Sequence, residues 1–329
     1  MPPTPDLYFD TIFAFQRSAA LKSAIELDIF TAIGDGSRTV PEIAKICGAP
    51  TRPIRILCDF LTTVGFITKA GDAYELTEDS AAFLTRRSPA YLGGTAGFLH
   101  SPDLLRYFEG LTDTIRRGMP PASIVADENP AWVQFARAMV PMMMPAARAI
   151  AEILGGAADA PLRVLDLAAG HGIFGIVIAQ RNPNAEIVAV DWAPVLEVAT
   201  ENAKAMGVAA RHRTIAGDAF KVDFGSQFDV ALVTNFLHHF DWPTNVAFLK
   251  KVCGALKPGG RVIVLEFVPN EDRVTPPMAA RFSLSMLAAT PRGDAYTFRE
   301  LQSMLTESGF RDAAAHATQG PETVVTATK

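Results

Sequence analysis

Apolar positions recur three and four apart over "FQRSAALKSAIELDIFTAI" (residues 15–33), where Phe15, Ala19, Ile25, Ile29 and Ile33 share one face. That spacing predicts an amphipathic helix. "GDGSR" breaks it, and residues 39–67 then hold two short helical patterns around the turn "CGAPTR". Thr39 is a candidate N-cap, with Glu42 three residues on as its capping-box partner. Two β-like runs flank Gly71-Asp72 in "ITKAGDAYELT", a hairpin signal. A helix, a helix-turn-helix and a hairpin make a mainly helical, winged-helix domain over residues 1–100. Residues 101–160 continue as helices with proline breaks, including "WVQFARAMVPMMMPAARAIAEIL", and form a helical linker that contributes to a substrate pocket. The small, flexible "GGAADAPL" (155–162) marks the boundary with a third segment, 161–329.

From residue 162 the period changes. "RVLDLA", "EIVAVD", "RHRTIAGD", "FDVALVTNFL" and "RVIVLEF" are short, β-branched and almost continuously apolar, and helical patterns separate them. Strands of that kind alternating with helices imply a parallel sheet covered on both faces. After the helix "TFRELQSMLTESGF" come "DAAAHAT" and "TVVTATK", joined by "QGPE", which suit an antiparallel hairpin at the sheet edge. The fold class expected is α/β, a Rossmann-like sheet of seven strands with a terminal hairpin. Pro258 and Gly259 of "KPGG" suit the centre of a type II turn.

Composition narrows the function. The chain has 329 residues and a formal net charge of −5. No apolar run reaches the roughly 18 residues that cross a bilayer, and the N-terminal "MPPTPDLYFD" lacks the basic-then-apolar order of a secretory leader. Cys47, Cys58 and Cys253 share no metal-ligand spacing. These features predict a soluble cytoplasmic protein without membrane or metal. The winged helix raises DNA binding, but its second helix offers only Arg52 and Arg55, and its body is apolar. A groove-reading helix presents basic and amide side chains, so packing or dimerisation is the better reading and no nucleic-acid partner is expected.

The chemistry centres on "VLDLAAGHGIFG" (164–175). Gly170, Gly172 and Gly175 match the dinucleotide fingerprint, and Asp191 follows at the distance of a ribose-binding acid. Asp166 ends the strand that feeds the loop, which is awkward beside a pyrophosphate and useful to a cationic ligand. Asp218, in "AGDAF" after the third strand, can accept from the amine of adenine, with the ring of Phe220 close by. "NFLHHF" sets His238 and His239 just past the fourth strand, where a base would meet a ligand.

Taken in order, "VLDLAAGHG", "VAVD", "GDAF", "FDVALVTNFLHHF" and "LKPGGRVIVLE" resemble the motifs of class I S-adenosylmethionine-dependent methyltransferases. With the helical front and "YTFRELQSMLTESGF", residues 10–329 resemble the dimeric small-molecule O-methyltransferases. The resemblance implies S-adenosylmethionine as cofactor, an N-terminal dimerisation domain, a homodimer and a small-molecule acceptor. It implies that Gly170 and Gly172 line the methionine portion, Asp191 takes the ribose, Trp192 lies near adenine, Asp218 and Ala219 hold it, Phe220 packs on it, and Asn235 faces the methionine moiety. It makes His238 the general base and Glu266 its orienting acid. The chain departs from the family's D-x-G-x-G-x-G at Ala168 and Ala169, and the family's second glutamate falls on Ala295, beside Asp294.

Trp132, Phe135, Met139, Met143 and the segment "RFSLSMLAATP" are the candidate pocket residues, although a methionine cluster serves a core equally well. The expected activity is methyl transfer to a hydroxyl of a small aromatic or polyketide-like secondary metabolite. Transfer to carbon or nitrogen, a cofactor-binding relative with another activity, a winged-helix regulator and a nicotinamide enzyme are the alternatives.

Overall fold

The computed structural model describes residues 2–34, 36–125, 129–155 and 160–329. The chain divides into two compact units, Met1–Pro102 and Asp103–Lys329. The boundary between them falls within the expected linker, 101–160. Of the expected boundary segment, 156–159 lie outside the described residues.

In the first unit the long amphipathic pattern is divided. Helices Ala14–Glu26 and Ile29–Ile33 meet at Asp28, whose φ of +56° lies in the left-handed region and ends the first helix. Ile25, Ile29 and Ile33 are buried, whereas Phe15 is 64% exposed. Helices Val40–Cys47 and Thr51–Thr63 form the helix-turn-helix. The backbone N–H of Thr39 donates to Glu42 Oε2 (2.8 Å), which satisfies one orphan donor of the helix end. Strands β1 (Arg38–Thr39), β2 (Ile67–Ala70) and β3 (Ala73–Leu76) pair antiparallel in the order β1-β3-β2 and complete the wing. Arg55, one of the two bases on the second helix, is spent on Asp59 (2.6 Å), which also binds Lys69 and the Tyr74 hydroxyl (2.6 Å each).

The second unit is built on seven strands: β4 (Leu162–Leu167), β5 (Ala185–Asp191), β6 (His212–Ala216), β7 (Phe228–Thr234), β8 (Leu256–Glu266), β9 (Arg311–Ala317) and β10 (Thr323–Thr328). Their order is β6-β5-β4-β7-β8-β10-β9; β4 to β8 run parallel, and β10 is antiparallel to both neighbours. The central strands are buried because helices cover both faces. The edge strands β6 and β9 carry His212, Arg213, Arg311 and Asp312, which discourages edge-to-edge pairing. The expected "KPGG" turn lies inside β8, where a register shift opposite Phe228 and Val230 absorbs it, and Gly259 takes the positive φ (+76°) such a turn needs.

Pro145 does not break helix Val140–Leu154. Its missing N–H would have served the carbonyl of Pro141, in the first turn, so a single bond is lost.

The core under the active edge is aromatic. Phe248, from helix Trp242–Ala255, is fully buried, with its ring 5.0 Å from that of Phe220 and 4.9 Å from that of Phe236. Phe248→Ala is expected to cost about 3–5 kcal/mol. Denaturant unfolding followed by tryptophan fluorescence measures it cleanly, since Trp132, Trp192 and Trp242 all lie in the second unit; a loss under about 1 kcal/mol contradicts this packing account.

Candidate active site

Parallel strands end on one edge, so β4, β5, β7 and β8 deliver Asp166, Asp191, Thr234 and Glu266 to the same side of the sheet. After β4 the chain turns through Ala168 (φ +50°), Gly170 (+58°) and Gly172 (+71°) into helix Ile173–Arg181. Ala168 therefore holds a left-handed conformation that costs an L-residue roughly 1–2 kcal/mol. Three bonds hold the turn: Ala169 N–H to the carbonyl of Val190 (3.1 Å), Gly170 N–H to Asp191 Oδ2 (2.8 Å), and Gly172 N–H to the carbonyl of Ala169 (2.8 Å). Alanine preserves the turn because the fold over-determines it.

Asp166 is fully buried. Its Oδ2 accepts from Gly175 N–H (3.2 Å) and its Oδ1 has no partner. Burial, helped by the charge of Asp191, pushes its carboxyl up to about 7. Burial likewise pushes Asp191 up to about 6 against the bonds from Gly170 and Trp192. Two buried acids whose carboxyls are raised, one with an unspent acceptor, fit a positively charged ligand, which would favour their ionised forms. The residues present therefore fit S-adenosylmethionine.

The other residues expected at the cofactor are placed less uniformly. Trp192 donates its backbone N–H to Asp191 Oδ1 (2.7 Å), and its ring packs with Trp132 and Val133 over Ala136, Val195 and Val198. Asp218 Oδ1 accepts from Phe220 N–H (2.9 Å), and Oδ2 meets Lys221 (3.0 Å). Ala219 is buried, its carbonyl bonded by Lys251 Nζ (2.9 Å). The Phe220 ring lies among Phe236, Phe240 and Phe248. The ring expected to pack on adenine thus also packs against Phe236, in the segment that leads into the Leu237–His239 turn.

Past β7, Asn235 adopts φ +52° and turns the chain into the short helical turn Leu237–His239. Glu266 organises that turn. Its Oε1 accepts from the N–H groups of Phe236 (3.0 Å) and Leu237 (2.8 Å), and its Oε2 meets Nδ1 of His238, with both side chains buried. With Nδ1 engaged, Nε2 is the ring nitrogen left to a ligand. Phe282, from helix Pro277–Ala289, sets its ring edge-on to that of His238 at 4.9 Å and stacks on Phe267 at 4.0 Å. His239 is held neutral, its imidazole pushed well below its ordinary range by burial and by His238.

Helix Ala131–Ala138 spans the two halves of the site. Trp132 lies edge-on to His239 (5.3 Å), and Phe135 stacks on His171 of the glycine loop (6.1 Å). Met139 and Met143 are both buried, and Met143 Sδ lies 3.5 Å from Asn235 Nδ2. Asp294 stays outside the assembly: it faces Arg273 (3.3 Å) at the surface, while Ala295 is buried. Among the described residues no group of three or more His, Cys, Asp or Glu side chains could hold a metal ion.

Three residues escaped the sequence reading. His171 accepts from Ile173 N–H at Nδ1 (3.2 Å) and is held neutral by burial, which lowers it to about 4. Gly293 approaches the Leu237–His239 turn so closely that a Cβ would clash with the carbonyl oxygen of His238, a feature only the fold reveals. Glu322, at the start of β10, is buried with Oε1 3.4 Å from Asn235 Nδ2.

Known proteins match along the whole chain. The O-methyltransferase domain family matches residues 118–311, and the O-methyltransferase dimerisation domain family matches residues 9–86. The tetracenomycin polyketide synthesis 8-O-methyl transferase of Streptomyces glaucescens is 28% identical over 316 residues, covering 94% of this chain and 93% of its own. The 3-hydroxy-5-methyl-1-naphthoate 3-O-methyltransferase of Streptomyces sahachiroi is 28% identical over 310 residues, covering 93% and 89%. A crystal structure from Nostoc punctiforme PCC 73102, provisionally described as an O-methyltransferase, is 49% identical, covers 100% of both chains and superposes with a TM-score of 0.96.

Gly172→Ala places a methyl 2.9 Å from Ala199 Cβ at a left-handed φ. It is expected to cost about 1–2 kcal/mol from the backbone alone and to weaken S-adenosylhomocysteine binding. Melting curves paired with isothermal titration check this; wild-type behaviour in both contradicts the loop geometry.

Proposed function

The chain belongs to the O-methyltransferase family and is an S-adenosylmethionine-dependent enzyme of it; from that premise we propose that it methylates a hydroxyl on a flat, aromatic, polyketide-like secondary metabolite, with His238 as general base. The observation that carries the base assignment is the buried Glu266–His238 pair, which fixes the ring and leaves Nε2 to the acceptor. The acceptor class rests on the walls beside that nitrogen. Phe282 stacked on Phe267, Trp132 and the thioethers of Met139 and Met143 suit a planar apolar ring better than a sugar or peptide. Of the two Streptomyces relatives, one is named for polyketide synthesis and the other for a hydroxylated naphthoate.

S-adenosylmethionine supplies an electrophilic methyl on a sulfonium sulfur, so the protein need not activate the methyl itself. In this reading Asp191 takes the ribose, Asp218 and Ala219 the adenine, and Asp166, Gly170, Gly172 and Asn235 surround the methionine portion, with Trp192 at the adenine side. The rest is positioning and one proton. The aromatic and thioether walls hold the ring so that its hydroxyl faces Nε2. His238 takes the hydroxyl proton there, and Glu266 stabilises the imidazolium through Nδ1. The neutral state of His239 leaves a single charged imidazole at the site.

The first unit is the reading's dimer interface. Leu7, Phe9 and Ile12 on helix Asp6–Ile12, Phe13 at the junction and Phe15 on helix Ala14–Glu26 are all exposed, an apolar patch suited to burial against a second copy. Light scattering after size exclusion is expected to give about twice the 35.3 kDa of the chain, and a monomer at micromolar concentration contradicts the assignment.

His238→Ala is expected to lower kcat on the true acceptor about 10²–10⁴-fold while leaving S-adenosylhomocysteine affinity unchanged. The acceptor is found by mass spectrometry of products formed from labelled cofactor and a panel of phenols and aromatic polyketides. A loss smaller than about tenfold removes general-base O-methylation and points to transfer to carbon or nitrogen.

A further inference from the structure

Because β10 runs antiparallel to β8, its start lies at the edge where the parallel strands end. Thr323 is in register with Glu266, and Glu322 stands one residue beyond it. Glu322 is 3% exposed, in a site that already holds one buried carboxylate. Its Oε1 lies 3.4 Å from Asn235 Nδ2, and Asn235 is the left-handed residue from which the His238 turn departs. A second acid here has no use in the mechanism as derived so far, and an unpaired buried carboxylate is costly.

We propose that Glu322 is a positioning residue for the base: it is the second carboxyl of the His238 assembly and favours the imidazolium formed once the acceptor's proton has been taken. The inference rests on the assignment of His238 as base. Burial, with the charge of Glu266, raises Glu322 to about 7, and His238 draws it back down. A negative Glu322 and a positive His238 ring favour one another, so each group's charge is felt by the other. A positive ring at His238 is met by Glu266 at Nδ1 and by Glu322 from the hairpin, both emerging from adjacent strands. Asp294, the acid nearest the family's second glutamate in sequence, is committed to Arg273.

The charged groups on the surrounding elements are engaged elsewhere. On β8, Lys257 pairs with Asp229 and Arg261 bonds the carbonyl of Leu154. On β9, Arg311 meets Asp312 and His316 bonds Thr326. Beyond β10, Lys329 Nζ bonds the carbonyl of Leu256 at the opposite edge. On helix Val140–Leu154, Arg148 is exposed and Glu152 faces Arg181. On helix Phe298–Glu307, Arg299 pairs with Glu271, Glu300 with Arg273, and Glu307 accepts from Trp242. Among the described residues, Glu266 and His238 are the ionisable groups whose charge acts on Glu322.

The test is the pH profile of kcat/KM for wild type, Glu322→Gln and Asp294→Asn. Loss of a negative charge disfavours the imidazolium, so Glu322→Gln is expected to move the acidic limb to lower pH by about half a unit or more, a roughly threefold change in the protonation equilibrium. Asp294→Asn is expected to leave it in place. Glu322→Ala is the second neutral variant, and whichever of the two binds S-adenosylhomocysteine with wild-type affinity is read. An unmoved limb in that variant overturns the proposal, since a merely structural role lowers the melting temperature without shifting the profile. His238→Ala separates the two readings. If it keeps its activity, the base assignment has failed; if it loses activity while the neutral Glu322 variant keeps the wild-type limb, only the Glu322 proposal has failed.

Discussion

Oε1 of Glu266 gathers the N–H groups of Phe236 and Leu237, and Oε2 of the same carboxylate meets His238. A charge taken out of water is costly unless hydrogen bonds replace its hydration. Here the backbone donors come from the turn that carries the imidazole, so the anion is solvated by the structure it organises. Remove the carboxylate and both the turn's orphan donors and the ring lose their partner. The left-handed turn at Asn235 and the close approach of Gly293 follow from the same need to bring that turn down onto the end of β8.

The sheet supplies the rest of the constraint. Parallel strands send their carboxyl ends to one edge, which is where ligands bind in open α/β sheets. The acids at the ends of β4 and β5 lie there in an apolar setting that shifts both upward. The antiparallel return of β10 is what lets a residue near the end of the chain reach the same edge.

Much of this was legible in the residues. The change of period near residue 162 announces the parallel sheet, and the strand-ending positions of Asp166, Asp191 and Glu266 follow directly from the apolar runs before them. Other features depend on tertiary contacts that no local pattern encodes. Asp28 divides a helix that periodicity alone would continue, because the left-handed region is open to aspartate. Phe220 reads equally well as ligand wall or core until Phe236, Phe240 and Phe248 are seen around it. Glu322 sits in a polar connecting segment, "QGPE", that looks solvent-exposed; only the register of the hairpin buries it. Ala168 shows the opposite case, a departure in sequence that leaves the backbone conformation of the loop in place.

Helix Ala131–Ala138 touches the glycine loop through Phe135 and the base turn through Trp132. One helix therefore spans the glycine loop and the histidine-bearing turn. Trp132, Phe135 and Phe282 project from helices, whereas Glu266 ends a strand and His238 sits on the turn that it holds. The aromatic side chains and the ion-paired ones thus come from different kinds of element, so the ring surfaces on the helices can change by substitution while Glu266 goes on holding His238.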